Sequence, residues 1–101
     1  MGIFSMFGGG FDKLLEQARA TENSKLIDVR TPGEYAGGHV PGAQNVPLDR
    51  IGAFEAPRDT PLFVYCQSGG RSSQAAHILQ SRGFTDVVNV GGIMSYRGPL
   101  E

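Results

Sequence analysis

The first regular pattern along the chain is Phe11, Leu14, Leu15 and Ala18, apolar positions three and four apart with charged residues between them. That spacing predicts an amphipathic helix over residues 11–20, which "ATENS" then breaks. Three short apolar runs follow: "KLIDV" at 25–29, "LFVY" at 62–65 and "VVNV" at 87–90. Runs that are apolar without alternating are the mark of strands covered on both faces, so these three predict buried parallel strands. "TPGE" at 31–34 sets Thr31 at an N-cap, Pro32 at the first helical position and Glu34 at the third, a capping box that starts a short helix directly after the first strand. "GGHVPGAQNVPL" reads as a turn-rich connection with a short strand at Ala43 to Val46. "LDRIGAFEA" reads as a weak helix interrupted by Gly52, and "PRDTP" as a turn. From Ser72, the spacing of Ala75, Ala76, Ile78 and Leu79 predicts a helix closed by Gly83. Strand and helix alternate throughout, which predicts an α/β domain of three layers: a mostly parallel central sheet flanked by helices.

Composition narrows the function classes. A chain of 101 residues, 40% apolar and 19% charged, holds one domain. Its net charge of −1 lacks the basic field that phosphate backbones require, so no nucleic acid is expected as a partner. One cysteine makes an internal disulfide impossible, and two histidines without a CxxC pair leave too few ligands for a structural metal, so neither metal nor cofactor is expected. No apolar run approaches the roughly 18 residues of a membrane span. The opening "MGIFSMFGGG" has no basic stretch and no Ala-x-Ala-like cleavage site, and Met6 stands where a myristoylation signal needs Ser or Thr. The expectations are a flexible leader over 1–10, with Ile3 and Phe4 able to pair at a sheet edge, then one domain over 11–101, monomeric and cytoplasmic.

The sole thiol lies in "VYCQSGGRSS" at 64–73. If "LFVY" is a parallel strand and a helix begins near Arg71 or Ser72, Cys66 sits at the strand's carboxyl end, the edge where open α/β sheets bind ligands. Gly69 and Gly70 let successive backbone N–H groups curl inward as an anion-binding nest, and the following helix aims its positive end at the same point. Such surroundings favour thiolate over thiol, which makes Cys66 a candidate nucleophile rather than a small core hydrophobe.

The blocks "LIDVRTPGEYAGGHVPGAQNVP" and "VYCQSGGRSSQAAHILQSRGFTDVVNVGGI", with their spacing, resemble a single-domain rhodanese over residues 25–96. The resemblance implies a rhodanese-like sulfurtransferase in which Cys66 takes a sulfane sulfur from a donor, holds it as a persulfide and passes it to a thiophilic acceptor. It also implies that the loop Gln67, Ser68, Gly69, Gly70, Arg71 and Ser72 wraps the persulfide with backbone amides. Related phosphatases and arsenate reductases of this fold look to use a loop one residue longer, so phosphate-ester hydrolysis is not expected here.

Neighbouring residues refine the picture. Gln67 and Ser68 replace the cationic side chains that suit thiosulfate in some members, which shifts expectation toward polysulfide, persulfide or protein donors. Arg71 has two open readings: holding a donor's anionic oxygens, or tying the loop to a neighbouring carboxylate. Asp28, Arg30 and Glu34 match positions that look structural in the family, an ion-pair network beneath the site. His39, in "GGHVPGA", is expected to brace a turn rather than to act as the base of a Cys/His hydrolase, since a thiolate stabilised by amides needs no base. His77 shares a helix face with polar residues and is expected to face solvent without a role. Gly91 and Gly92 lack the third glycine of a dinucleotide loop; in the family this pair turns the chain back beside the site, and Tyr96 takes the place of a customary tryptophan. With no resolving cysteine, sulfur must leave to an outside acceptor: a small thiol, cyanide or a thioredoxin-like protein. The alternative function is a persulfide carrier or regulatory module with little turnover.

Overall fold

The computed structural model describes residues 10–101, so the predicted leader and the edge pairing of Ile3 and Phe4 lie outside the described residues. The elements run α1 (Gly10–Ala20), β1 (Lys25–Asp28), α2 (Pro32–Ala36), β2 (Gln44–Asn45), a 3-10 turn (Leu48–Ala53), β3 (Leu62–Cys66), α3 (Gly70–Ser81), β4 (Val87–Gly92) and a second 3-10 turn (Ile93–Ser95). The four strands are parallel in the order β2-β1-β3-β4. From β1 the chain first crosses to β2 on one side and later to β3 and β4 on the other. The topological switch point therefore falls between β1 and β3, and a crevice opens at their carboxyl ends.

Period-two alternation along β3 separates the two halves of the core. Leu62, Val64 and Cys66 face Ala75, Ala76 and Leu79 of α3, with Ile51 and Phe84 completing that layer. Phe63 and Tyr65 face the opposite way onto Phe11, Leu15 and Ala18 of α1. All five β3 residues are buried, as a central strand covered on both faces requires. Helix α3 ends as predicted around Gly83: the Phe84 N–H reaches Leu79 O at 3.2 Å and the Gly83 N–H reaches Gln80 O at 3.0 Å, a Schellman closure that folds Phe84 back onto the core.

Several predicted boundaries shift, β4 among them, which runs two residues past Val90 to Gly92. The strand expected at Ala43 to Val46 keeps only Gln44 and Asn45, because the Ala43 N–H turns back to Val40 O at 3.1 Å and Pro47 has no N–H to extend the ladder. The weak helix from Leu48 tightens into the 3-10 turn and stops at Ala53. Phe54 is extended at φ −64 and ψ 133, and its ring packs 5.9 Å from Phe84 instead. Helix α3 begins at Gly70, earlier than expected, which brings its N-terminus against the cysteine.

Candidate active site

Cys66 is the last residue of β3, and the chain leaves it through a loop that enters α3. The turn requires Gly69 at φ +105, a left-handed conformation that any side chain would strain. That turn aims the Gly69 N–H at the Cys66 Sγ, 3.0 Å away, while the Ser72 hydroxyl donates to the sulfur from 3.4 Å on the first turn of the helix. The residue is only 1% exposed, so the sulfur lies on the floor of a socket and a reagent must reach in to it. Burial pushes the thiol up, but the Ser72 hydroxyl and the backbone N–H groups of Ser72, Gly69 and Ser68 outweigh it, and the pKa ends below the ordinary 9.0. The N-terminal end of α3 supports the same charge.

The wall opposite the helix is the end of β4. Cys66 registers with Gly92, and the Met94 N–H donates to Gln67 O at 3.2 Å. A side chain at Gly92 would place its first carbon 2.5 Å from Gln67 O and 2.7 Å from Ser68 Cα, so only glycine permits strand and loop to lie this close. Asn89 braces the same junction, its amide donating to Gly69 O at 3.5 Å and its carbonyl accepting the Gly91 N–H at 3.0 Å. No local sequence pattern assigns Asn89 this role. The glycine pair after an apolar run was the one available sign, and it marks close approach of the strand end rather than a turn.

The charged residues expected as one network form two separate pairs. Asp28, fully buried, accepts from the Arg30 backbone N–H at 2.8 Å and from its guanidinium at 2.7 to 3.0 Å. Arg30 lies beyond the end of β1 and folds back, donating also to Gly38 O at 2.8 Å and to Gln67 Oε1 at 3.3 Å. Glu34 turns elsewhere. Its capping-box position directs the carboxylate along the first turn of α2, where it meets Arg71 in a two-pronged bridge of 2.8 and 3.0 Å. Of the two readings of Arg71, the geometry is that of a loop tied to a carboxylate. The Arg71 guanidinium and the bond from the Thr31 N–H hold the Glu34 carboxyl down at about 2.

His39 stands apart from the sulfur. Its ring stacks on Tyr35 with centroids 3.7 Å apart, Nδ1 lies 3.0 Å from Tyr35 O and Nε2 lies 3.7 Å from Glu101. His77 is exposed on α3. Tyr96 is half-buried, its ring 5.7 Å from Phe11 and its hydroxyl donating to Pro99 O at 2.7 Å.

A lone cysteine at the switch point of a four-strand parallel sheet, its sulfur accepting from the Gly69 N–H at the entry to a helix, is an arrangement shared with the rhodanese-type sulfurtransferases. The comparisons agree. The chain belongs to the rhodanese-like domain family, which it matches over residues 11–98. It is 40% identical over 77 residues to the thiosulfate sulfurtransferase PspE of Escherichia coli, covering 72% of this chain and 74% of that one. It is also 40% identical over 81 residues to the protein YqhL of Bacillus subtilis, covering 77% of this chain but 64% of that longer relative. Among solved structures, a rhodanese-like domain protein from Staphylococcus aureus superimposes with a TM-score of 0.74 at 31% identity, covering 90% of this chain and 92% of the other. Among the described residues, no helix is long and apolar enough to cross a membrane.

Proposed function

We propose that this protein moves a sulfane sulfur from a donor to a thiophilic acceptor through a persulfide on Cys66. The Cys66 thiolate attacks the donor's outer sulfur, a new S–S bond forms, and the donor's old bond to that sulfur breaks with its electron pair leaving on the donor remnant. The N–H groups of Ser68, Gly69 and Ser72 and the Ser72 hydroxyl stabilise the sulfur's negative charge, and the arriving acceptor takes the outer sulfur and returns Cys66 to thiolate. The observation that carries this reading is the 3.0 Å bond from the Gly69 N–H to the Cys66 Sγ at the mouth of α3. Acceptors that fit are a small thiol, cyanide or the exposed cysteine of a thioredoxin-like protein.

Intact-mass measurement after donor treatment tests it. One sulfur atom gained by the wild type and lost again on adding cyanide is the expected result; gain by Cys66→Ser, or no gain by the wild type, rejects it. The depth of the sulfur, 1% exposed, supports a second reading as a slow persulfide carrier or regulatory module. Turnover separates the two: rapid repeated transfer to small acceptors marks the enzyme, and stable loading discharged only by a protein marks the carrier.

A further inference from the structure

The two cations flanking the loop are both engaged by carboxylates of this same chain. Arg71 is bridged by Glu34 at 2.8 and 3.0 Å, and Arg30 by the buried Asp28 at 2.7 to 3.0 Å. Gln67, directly after Cys66, lays its carbonyl 3.3 Å from Arg30 Nη1 and so covers that guanidinium with a neutral group. Beside Gln67 opens a cavity of about 390 Å³, lined by glycines of α2 and the turn after it, by Met94, Tyr96 and Leu100, and by Arg30 and Glu34, each already paired with a side chain of opposite charge. Met94 and Leu100, 69% and 55% exposed, are the large apolar side chains left open to solvent among the described residues, and both border this one cavity. Met94 is tied to the loop by its N–H, which donates to Gln67 O at 3.2 Å, so these exposed apolar groups lie next to the residue that follows Cys66, a place where apolar surface can be buried on binding.

We propose that this cavity is a subsite for an uncharged organic group carried by the sulfur donor. The preferred donors are then persulfides and thiosulfonates with a single negative charge on the outer sulfur, and Gln67 disfavours the thiosulfate dianion. The inference rests on sulfur transfer at Cys66. The loop amides meet one negative charge on the transferred sulfur, but a second charge in the mouth finds Arg30 and Arg71 already paired with carboxylates and loses hydration with little compensation from them. For a thiosulfonate, the Cys66 thiolate bonds to the outer sulfur, the bond from that sulfur to the sulfonyl sulfur breaks, and the electron pair departs on the sulfinate. Charge balances and no oxidant is consumed.

Steady-state transfer to cyanide from benzenethiosulfonate and from thiosulfate tests the subsite, read as the ratio of the two kcat/KM values. Partial unfolding of a variant lowers both values together and cancels in that ratio. The ratio is expected to fall about fivefold in Gln67→Lys, the factor of one moderately screened ion pair gained by thiosulfate. It is expected to fall about tenfold in Met94→Ser/Leu100→Ser, because only the phenyl ring of benzenethiosulfonate buries apolar surface against those two side chains. A ratio that stays at the wild-type value in both variants overturns the subsite while leaving sulfur transfer intact. Absence of thiocyanate from both donors with wild-type protein overturns the transfer reading and the subsite with it.

Discussion

Replacing Glu34 by Gln isolates the bridge that ties the active-site loop to α2. The amide keeps a carbonyl to accept the Thr31 N–H, now at 3.0 Å, and leaves the Thr31 hydroxyl free to cap the Glu34 N–H at 3.2 Å, so the capping box survives. What disappears is the charge facing Arg71. The Glu34 carboxyl is held at about 2 against an ordinary 4.5. In a dry interior such a displacement would be worth several kcal/mol, but the two side chains are 35% and 34% exposed. Screening at that exposure reduces the bridge to about 1 kcal/mol. Because the folded pKa is depressed, this stabilisation is complete above about 4.5 and drains away as pH falls toward about 2. Urea unfolding of wild type and Glu34→Gln is therefore expected to show the variant weaker by about 1 kcal/mol at neutral pH and the two curves converging at the acid end of that window. Sulfur loading at neutral pH should slow as Arg71 comes free. A stability gap of constant size at both pH values would refute the reasoning, since it would show that packing rather than charge carries the effect.

Other substitutions probe the socket and its support. Ser72→Ala removes a donor 3.4 Å from the Cys66 sulfur, so the thiol pKa should climb and loading at neutral pH should fall about tenfold, a deficit that closes as pH rises through the thiol range. A pH–rate profile identical to wild type would contradict the assigned hydrogen bond. Gly92→Ala forces a carbon into Gln67 O and Ser68 Cα, and is expected to cost about 1 to 3 kcal/mol in denaturant unfolding and most of the loading activity; normal activity would mean the loop can yield. Asp28→Asn leaves the Arg30 guanidinium, 4% exposed, without its counter-charge and is expected to cost about 3 to 5 kcal/mol, measured by the same unfolding.

Much of this protein is written locally in its chain. The Thr31–Glu34 capping box, the closure of α3 at Gly83, the apolar strands and the position of Cys66 at a strand end all follow from residues a few places apart. Turn chemistry and side-chain periodicity act over that range, and they act before any core exists. The family resemblance rests on the same local blocks, which is why a cysteine between a strand and a glycine-led helix start was legible in them.

What the chain alone left open were the pairings that span it. Whether Arg71 meets a donor or a carboxylate was undecided until α2 and α3 were packed on the sheet and Glu34 came within 2.8 Å across 37 residues of sequence. The need for glycine at position 92 appears only when β4 is laid in register beside Cys66, and the contact of Gln67 with Arg30 only when the ends of β1 and β3 are side by side. Propensity and spacing specify elements, whereas partners over such distances are chosen by strand order, register and burial on both faces of β3. These are properties of the assembled core that no short stretch contains.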